Sequence, residues 1–164
     1  MNKKKTVITV FGSSIPVSGE VQYEEAYRLG TILAENNCDI CSGGNLGIME
    51  AVSKGAVDHN ANTIGITLNG KFGFHNEFIC EHIVCSTLFE RIQTMIERAD
   101  AFIVLQGGTG TLLELAVIWE FMNKGILKKK PIACYGKIWE PVIKLMDEQL
   151  ALEKRMTGLV KYCV

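Results

Sequence analysis

No apolar stretch in this chain approaches the roughly 20 residues that a membrane-spanning helix requires. The opening residues, Met1 to Lys5, are polar and lack the apolar core of a signal peptide, so a cytoplasmic location is expected. Charge of one sign is missing too. A formal net charge of −1 gives no electrostatic reason to expect nucleic acid or a membrane surface as partner. The short basic runs Lys3-Lys4-Lys5 and Lys128-Lys129-Lys130 read as solvated ends of elements. The three histidines, His59, His75 and His82, share no metal-ligand spacing, and neither a metal nor a cofactor is expected. There is no composition shift, long linker or internal repeat, so residues 1–164 are read as one domain. Six cysteines fit free thiols. Cys38-Asp39-Ile40-Cys41 matches CxxC in letters only, because residues three apart in a strand point to opposite faces and the sulfurs diverge. Cys80, Cys85, Cys134 and Cys163 fall in apolar runs and are expected in the core.

What is present centres on Gln106-Gly107-Gly108-Thr109-Gly110-Thr111-Leu112-Leu113-Glu114. The stretch follows Ala101–Leu105, a continuous apolar run of strand length, and leads into the apolar helix pattern that ends near Met122. Three glycines in four positions predict a sharp turn with unhindered N–H groups at a helix N-terminus, where unpaired amides and the helix dipole favour an anion. Glu114 is then expected in the first helical turn, beside that site. Thr111-x-x-Glu114 also fits a capping box, in which both residues serve the helix end alone. The spacing leaves both roles open. The loop is neither a Gly-Lys-Ser/Thr phosphate loop nor a GxGxxG, since Leu113 stands at the third glycine position.

The same alternation runs along the whole chain. Strands are predicted over 6–11, 38–41, 62–68, 78–84, 101–105 and 130–135, with a short seventh in the tail 159–164. Helices are predicted over 21–36, 48–58, 87–98, 111–122 and 138–150. Thr87-x-x-Glu90 caps the third of these, and Asn69 to Glu77 reads as an exposed loop. This is a doubly wound α/β fold of the Rossmann-like class: a mostly parallel sheet of six or seven strands with helices on both faces. In such sheets ligands bind beyond the carboxyl ends of the strands. Three glycine-bearing turns fall on that edge: Gly12-Ser13-Ser14, Ser42-Gly43-Gly44-Asn45-Leu46-Gly47, and the organising loop. Their coincidence predicts a phosphate-bearing ligand.

Gln106 to Glu114 resembles the PGGxGTxxE signature of the LONELY GUY family, and Ser42 to Val52 resembles its upstream GGxxGxM segment. Phe11 to Ser14 is similar to its first-strand turn, and Arg91 stands at the arginine of its Arg-Lys pair. The resemblance spans about Thr6 to Tyr135, in order and in register. It implies a dimeric, cytoplasmic protein that hydrolyses the N-glycosidic bond of a nucleoside 5′-monophosphate. A related branch carries the molybdenum cofactor without turnover. Residue by residue, it implies Glu114 and Arg91 as the catalytic pair. Gly12, Ser13, Gly43, Gly44, Gly107, Gly108, Thr109, Gly110 and Thr111 would bind the nucleotide. Two positions depart from the pattern: Gln106 replaces the signature proline, and Ile92 replaces the lysine of the pair, removing a cation from the site's edge. Glu50 is a weaker candidate for a ligand contact, and Arg98 and Asp100 read as structural. The helix over 111–122 is apolar on more than one face, which predicts a homodimer or a higher even oligomer.

Overall fold

The computed structural model describes residues 5–70 and 73–164. Lys3 and Lys4 of the first basic run, and two residues inside the predicted loop 69–77, lie outside the described residues. The elements alternate as β1 (Thr6–Phe11), α1 (Val21–Glu35), β2 (Cys38–Ser42), α2 (Ile48–Val57), β3 (Thr63–Leu68), β4 (Glu81–Cys85), α3 (Leu88–Arg98), β5 (Ala101–Val104), α4 (Thr109–Asn123), β6 (Ile132–Tyr135), α5 (Trp139–Leu152) and β7 (Val160–Cys163). The seven strands form one sheet in the order β4-β3-β2-β1-β5-β6-β7, and every pairing is parallel. Chain order therefore reverses between β1 and β5. The crevice at that reversal is where a doubly wound sheet presents its loops to a ligand.

Apolar residues on both faces of the central strands explain why helices cover both sides. One core joins Phe102, Val104 and Ile66 of the sheet to Ile92 and Met95 of α3, Leu115 and Ile118 of α4, and Trp139 of α5. The other joins Val10 and Ile40 to Tyr23 and Ala26 of α1 and to Ala51 and Val52 of α2. No helix among the described residues is long and apolar enough to cross a membrane.

Several local expectations are corrected. β4 begins at Glu81 rather than Phe78, because the segment before it is turned by Asn76, whose side-chain oxygen accepts from Phe78 N–H at 3.1 Å. The predicted loop is not exposed throughout: Asn76 is only 2% accessible. Among the cysteines, Cys41, Cys85 and Cys134 are buried, whereas Cys80 and Cys163 are exposed and do not belong to the core. All six are free thiols, and burial pushes the Cys41 thiol up to about 12.

Candidate functional site

The reversal crevice is built from three turns and the starts of three helices, α2, α3 and α4. After β1, Gly12-Ser13-Ser14 crosses toward both neighbours: Ser13 N–H donates to the Gln106 carbonyl at 3.0 Å, and the Ser13 carbonyl accepts from Ile48 N–H at 2.9 Å. Those two bonds fix the first turn against the organising loop and the start of α2. The result is a cleft of about 370 Å³ lined by Gly12, Ser13, Gly108, Thr109, Gly110 and Thr111, with Arg91 and Glu114 in its wall.

The organising loop departs from its predicted geometry in an informative way. Helix α4 begins at Thr109, with Gly108 as N-cap and no side-chain capping bond. Thr111 is therefore the third helical residue and Glu114 the sixth, so the capping box does not form and Glu114 lies in the second turn. By contrast, half of the box predicted for α3 forms: Thr87 caps the helix, its Oγ1 accepting from Glu90 N–H at 3.1 Å, while the reciprocal bond goes to the residue before the cap. The Glu90 carboxylate there accepts from Ser86 N–H at 2.7 Å. Gly107, Gly108 and Gly110 are not among the positive-φ glycines. The turn does not demand them for conformation. A methyl group at Gly108 or Gly110 would meet nothing within 4 Å. These two glycines leave bare backbone at the cleft, and the uncapped amides of the first turn of α4 make it a candidate anion site by position and dipole.

Arg91 and Glu114 meet across the wall of this cleft. Their closest nitrogen and oxygen are 3.6 Å apart, with the side chains 15% and 12% accessible. The Arg91 fork is also anchored in the protein: Nε donates to the Ile66 carbonyl at 2.7 Å and Nη2 to the Gly43 carbonyl at 3.3 Å. Gly43 must be glycine for this approach, since a β-carbon there would collide with the guanidinium and the Met49 sulfur. Burial pushes the Glu114 carboxyl up to about 7, against the Arg91 charge, which pulls it down. At 3.6 Å the contact with Arg91 does not offset loss of water. A carboxyl poised near neutrality, in a cleft and opposite a fixed cation, is the arrangement expected of a proton-transferring or charge-stabilising group.

Of the predicted binding residues, Gly43, Gly44 and Gly107 do not line the cleft: Gly43 lies behind Arg91, Gly44 packs on Gly65, and Gly107 borders an adjoining recess with Ser13 and Gln106. The Gln106 amide is not directed at the anion site; its oxygen accepts from Gln22 Nε2 at 2.9 Å. Ile92 is 1% accessible in the α3 core, so the position holding a lysine in the family pattern is here an interior one, not an edge. Glu50 accepts from the buried Tyr23 hydroxyl at 2.9 Å between α1 and α2, and it does not reach the cleft. Arg98 pairs with Glu81 at 2.9 Å, and Asp100 accepts from Val7 N–H at 2.9 Å. Cleft residues that sequence reading missed are Ser14, Ile15, Asn45 and Met49. Ser14 and Asn45 sit inside glycine turns already singled out, which was the available signal.

The model of the SLOG cluster4 family matches residues 5–154. The cytokinin riboside 5′-monophosphate phosphoribohydrolase of Mycobacterium marinum is 35% identical over 118 residues, which are 68% of this chain and 61% of that protein. Cytokinin riboside 5′-monophosphate phosphoribohydrolase LOG2 of Arabidopsis thaliana is 33% identical over 150 residues, covering 86% of this chain and 70% of the relative. This chain thus spans less than two thirds of the mycobacterial relative's length. Among solved structures, the molybdenum cofactor carrier protein of Chlamydomonas reinhardtii matches with a TM-score of 0.76 at 23% identity, over 98% of this chain and 90% of that one. The molybdenum cofactor binding protein of Rippkaea orientalis matches with a TM-score of 0.75 at 24% identity, over the same shares. At that identity the two structures speak for the fold alone.

Proposed function

The chain belongs to the SLOG cluster4 (LONELY GUY) family, and from that membership we propose that it hydrolyses the N-glycosidic bond of a purine- or cytokinin-type nucleoside 5′-monophosphate. The products are free base and ribose 5-phosphate, and the setting is cytoplasmic. The observation that carries this reading is Glu114, a buried carboxyl brought near neutrality opposite Arg91, one turn inside an uncapped helix N-terminus.

The chemistry follows from those groups. The 5′-phosphate sits on the amides of Thr109, Gly110 and Thr111, beside Gly12 and Ser13. This places the ribose against Glu114. As the bond from C1′ to the base nitrogen breaks, positive charge develops on the sugar and negative charge on the base. An ionised Glu114 stabilises the first and accepts a proton from the water whose oxygen bonds to C1′, while the base leaves with the bonding electron pair and takes up a proton from solvent. Arg91 offers a fixed positive charge to phosphate or departing base; its guanidinium does not give up a proton at neutral pH. The competing reading is a nucleotide or molybdenum-cofactor carrier without turnover. The specific observation in its favour is that Gln106 and Ile92 stand where the family pattern has proline and lysine.

A panel of nucleoside 5′-monophosphates assayed for free base separates the two. We expect base release from at least one member, and melting temperatures raised by the monophosphates but not by the matching nucleosides. Equal shifts from both would mean that these loops do not recognise phosphate. Ligand-dependent stabilisation without base release from any member would favour the carrier.

The proposal includes a second copy of the chain. Leu112 of α4 and Leu145 and Met146 of α5 are exposed, and they border a groove of about 510 Å³ floored by Leu115, Ala116 and Trp119. Leu112 follows Thr111 of the cleft directly, so an α4–α5 interface would set a partner beside the site. Light scattering at micromolar concentration is expected to report at least two chains per particle. An 18.1 kDa particle would refute the assembly.

A further inference from the structure

The second glycine loop contributes only Asn45 and the following helix to the cleft, yet its backbone is held with unusual completeness. The Gly43 carbonyl accepts from Arg91. The Gly44 carbonyl accepts twice from Asn76, from the backbone N–H at 2.8 Å and from Nδ2 at 3.0 Å. The Asn45 carbonyl accepts from the same Nδ2 at 2.8 Å. The orientation of that amide is fixed by its other end, because Asn76 Oδ1 accepts from Phe78 N–H at 3.1 Å, and only an oxygen can do so. Asn76 is 31 and 32 residues away in sequence from the carbonyls it holds, and it is 2% accessible.

A planar trans peptide points its carbonyl and its N–H in opposite directions. Tying the carbonyls of Gly44 and Asn45 to Asn76 therefore turns the N–H groups of Asn45 and Leu46 away from Asn76. Leu46 N–H is also met by the Asn45 side-chain oxygen at 2.8 Å. Gly44 has φ of +70°, a conformation only glycine adopts at little cost, and its own N–H is taken by Ser42 Oγ at 3.1 Å. Of these consecutive amides only that of Asn45 has no acceptor among the described residues, so the nest around left-handed Gly44 offers a single donor to an anion. We propose that Asn76 is a positioning residue that holds this nest so that the Asn45 N–H meets a phosphate oxygen of the ligand. Asn76 itself does not touch the ligand. The inference rests on the phosphate-bearing ligand of the proposed function and not on its hydrolysis.

Asn76→Asp keeps the shape and the bond from Phe78 N–H, but it sets a second oxygen against the carbonyls of Gly44 and Asn45. Asn76→Ala deletes the donors outright. Each is expected to weaken the binding of adenosine 5′-monophosphate by at least about tenfold, while affinity for adenosine stays within about threefold, since one charge-assisted hydrogen bond is lost. If wild type turns over the nucleotide, the same loss appears in KM and not in kcat. A purely structural staple would instead weaken both ligands equally, or neither, and either result overturns the proposal. Wild-type protein labelled with 15N supplies the measurement that does not depend on a variant folding. Titration with inorganic phosphate, and then with adenosine 5′-monophosphate, is expected to move the Asn45 amide proton among the largest shifts. An unmoved Asn45 amide in a protein that binds the nucleotide overturns the nest and leaves the hydrolase reading standing. A moved amide in a protein that hydrolyses nothing does the reverse.

Discussion

Glu114→Gln is expected to lower turnover at least about a hundredfold while raising the melting temperature at pH 8. The first effect is what removal of a positioned base or charge stabiliser costs, commonly on the order of 10²–10⁴ in rate. The second comes from burial. The folded protein holds the Glu114 proton up to about pH 7, whereas an exposed carboxyl releases it near 4.5. Between these two values the folded state binds more protons than the unfolded chain, so stability falls as pH rises through that window. Above the folded value the ionised carboxylate costs at most about 3 kcal/mol. Glutamine carries no such charge, and its oxygen can still face Arg91. The gain should accordingly be largest at pH 8 and shrink as pH falls toward the unfolded carboxyl value. A variant that hydrolyses at half the wild-type rate would remove Glu114 from the chemistry. One that melts lower than wild type at pH 8 would contradict the burial argument. Both outcomes are read from the same preparation, with an activity assay and two melting curves.

The two uses of Thr-x-x-Glu could not be separated before the structure, and the reason is local. A capping threonine and a cleft threonine at the third helical position differ only in where the helix starts. That depends on whether Thr109 and Gly110 adopt helical torsions, which glycine-rich sequence does not dictate. The alternation of elements was legible because long apolar periodic segments leave little choice, and β1, α2 and β3 lie within a residue or so of their predicted bounds. Burial of Ile92 was legible as well, since Ile92, Met95, Ile96 and Ala99 follow helical spacing. The family pattern draws attention to the missing lysine instead. Asn76 was hidden for the opposite reason. Its partners are Gly44 and Asn45, and no neighbour in sequence marks a polar residue in a loop as buried. Cys80 and Cys163 sit next to apolar residues, yet both lie at the surface, where local hydrophobicity does not report position in the sheet.

Arg91→Met should shift the rising limb of the pH–rate profile toward alkaline pH and lower kcat/KM at pH 7 by on the order of a hundredfold. The guanidinium is the charge that holds the Glu114 carboxyl down against burial. Without it, the carboxyl keeps its proton to a higher pH, and the ionised form that the reaction needs becomes scarcer at neutrality. Part of the loss should therefore return as pH rises, which separates Arg91 acting on Glu114 from Arg91 binding ligand alone. Stability moves the other way from Glu114→Gln. Methionine leaves a buried carboxylate unpaired and takes donors from the Ile66 and Gly43 carbonyls, a loss on the order of 3 kcal/mol at pH 8. Adding Glu114→Gln to that variant should recover much of it, because the uncompensated charge is gone while the carbonyls remain unsatisfied. Arg91→Lys keeps one charge but cannot reproduce the fork that meets two carbonyls and a carboxylate, so it should fall between wild type and Arg91→Met in rate. Coupling near zero in the double-mutant cycle, with an unshifted pH profile, would show that the 3.6 Å contact carries no function.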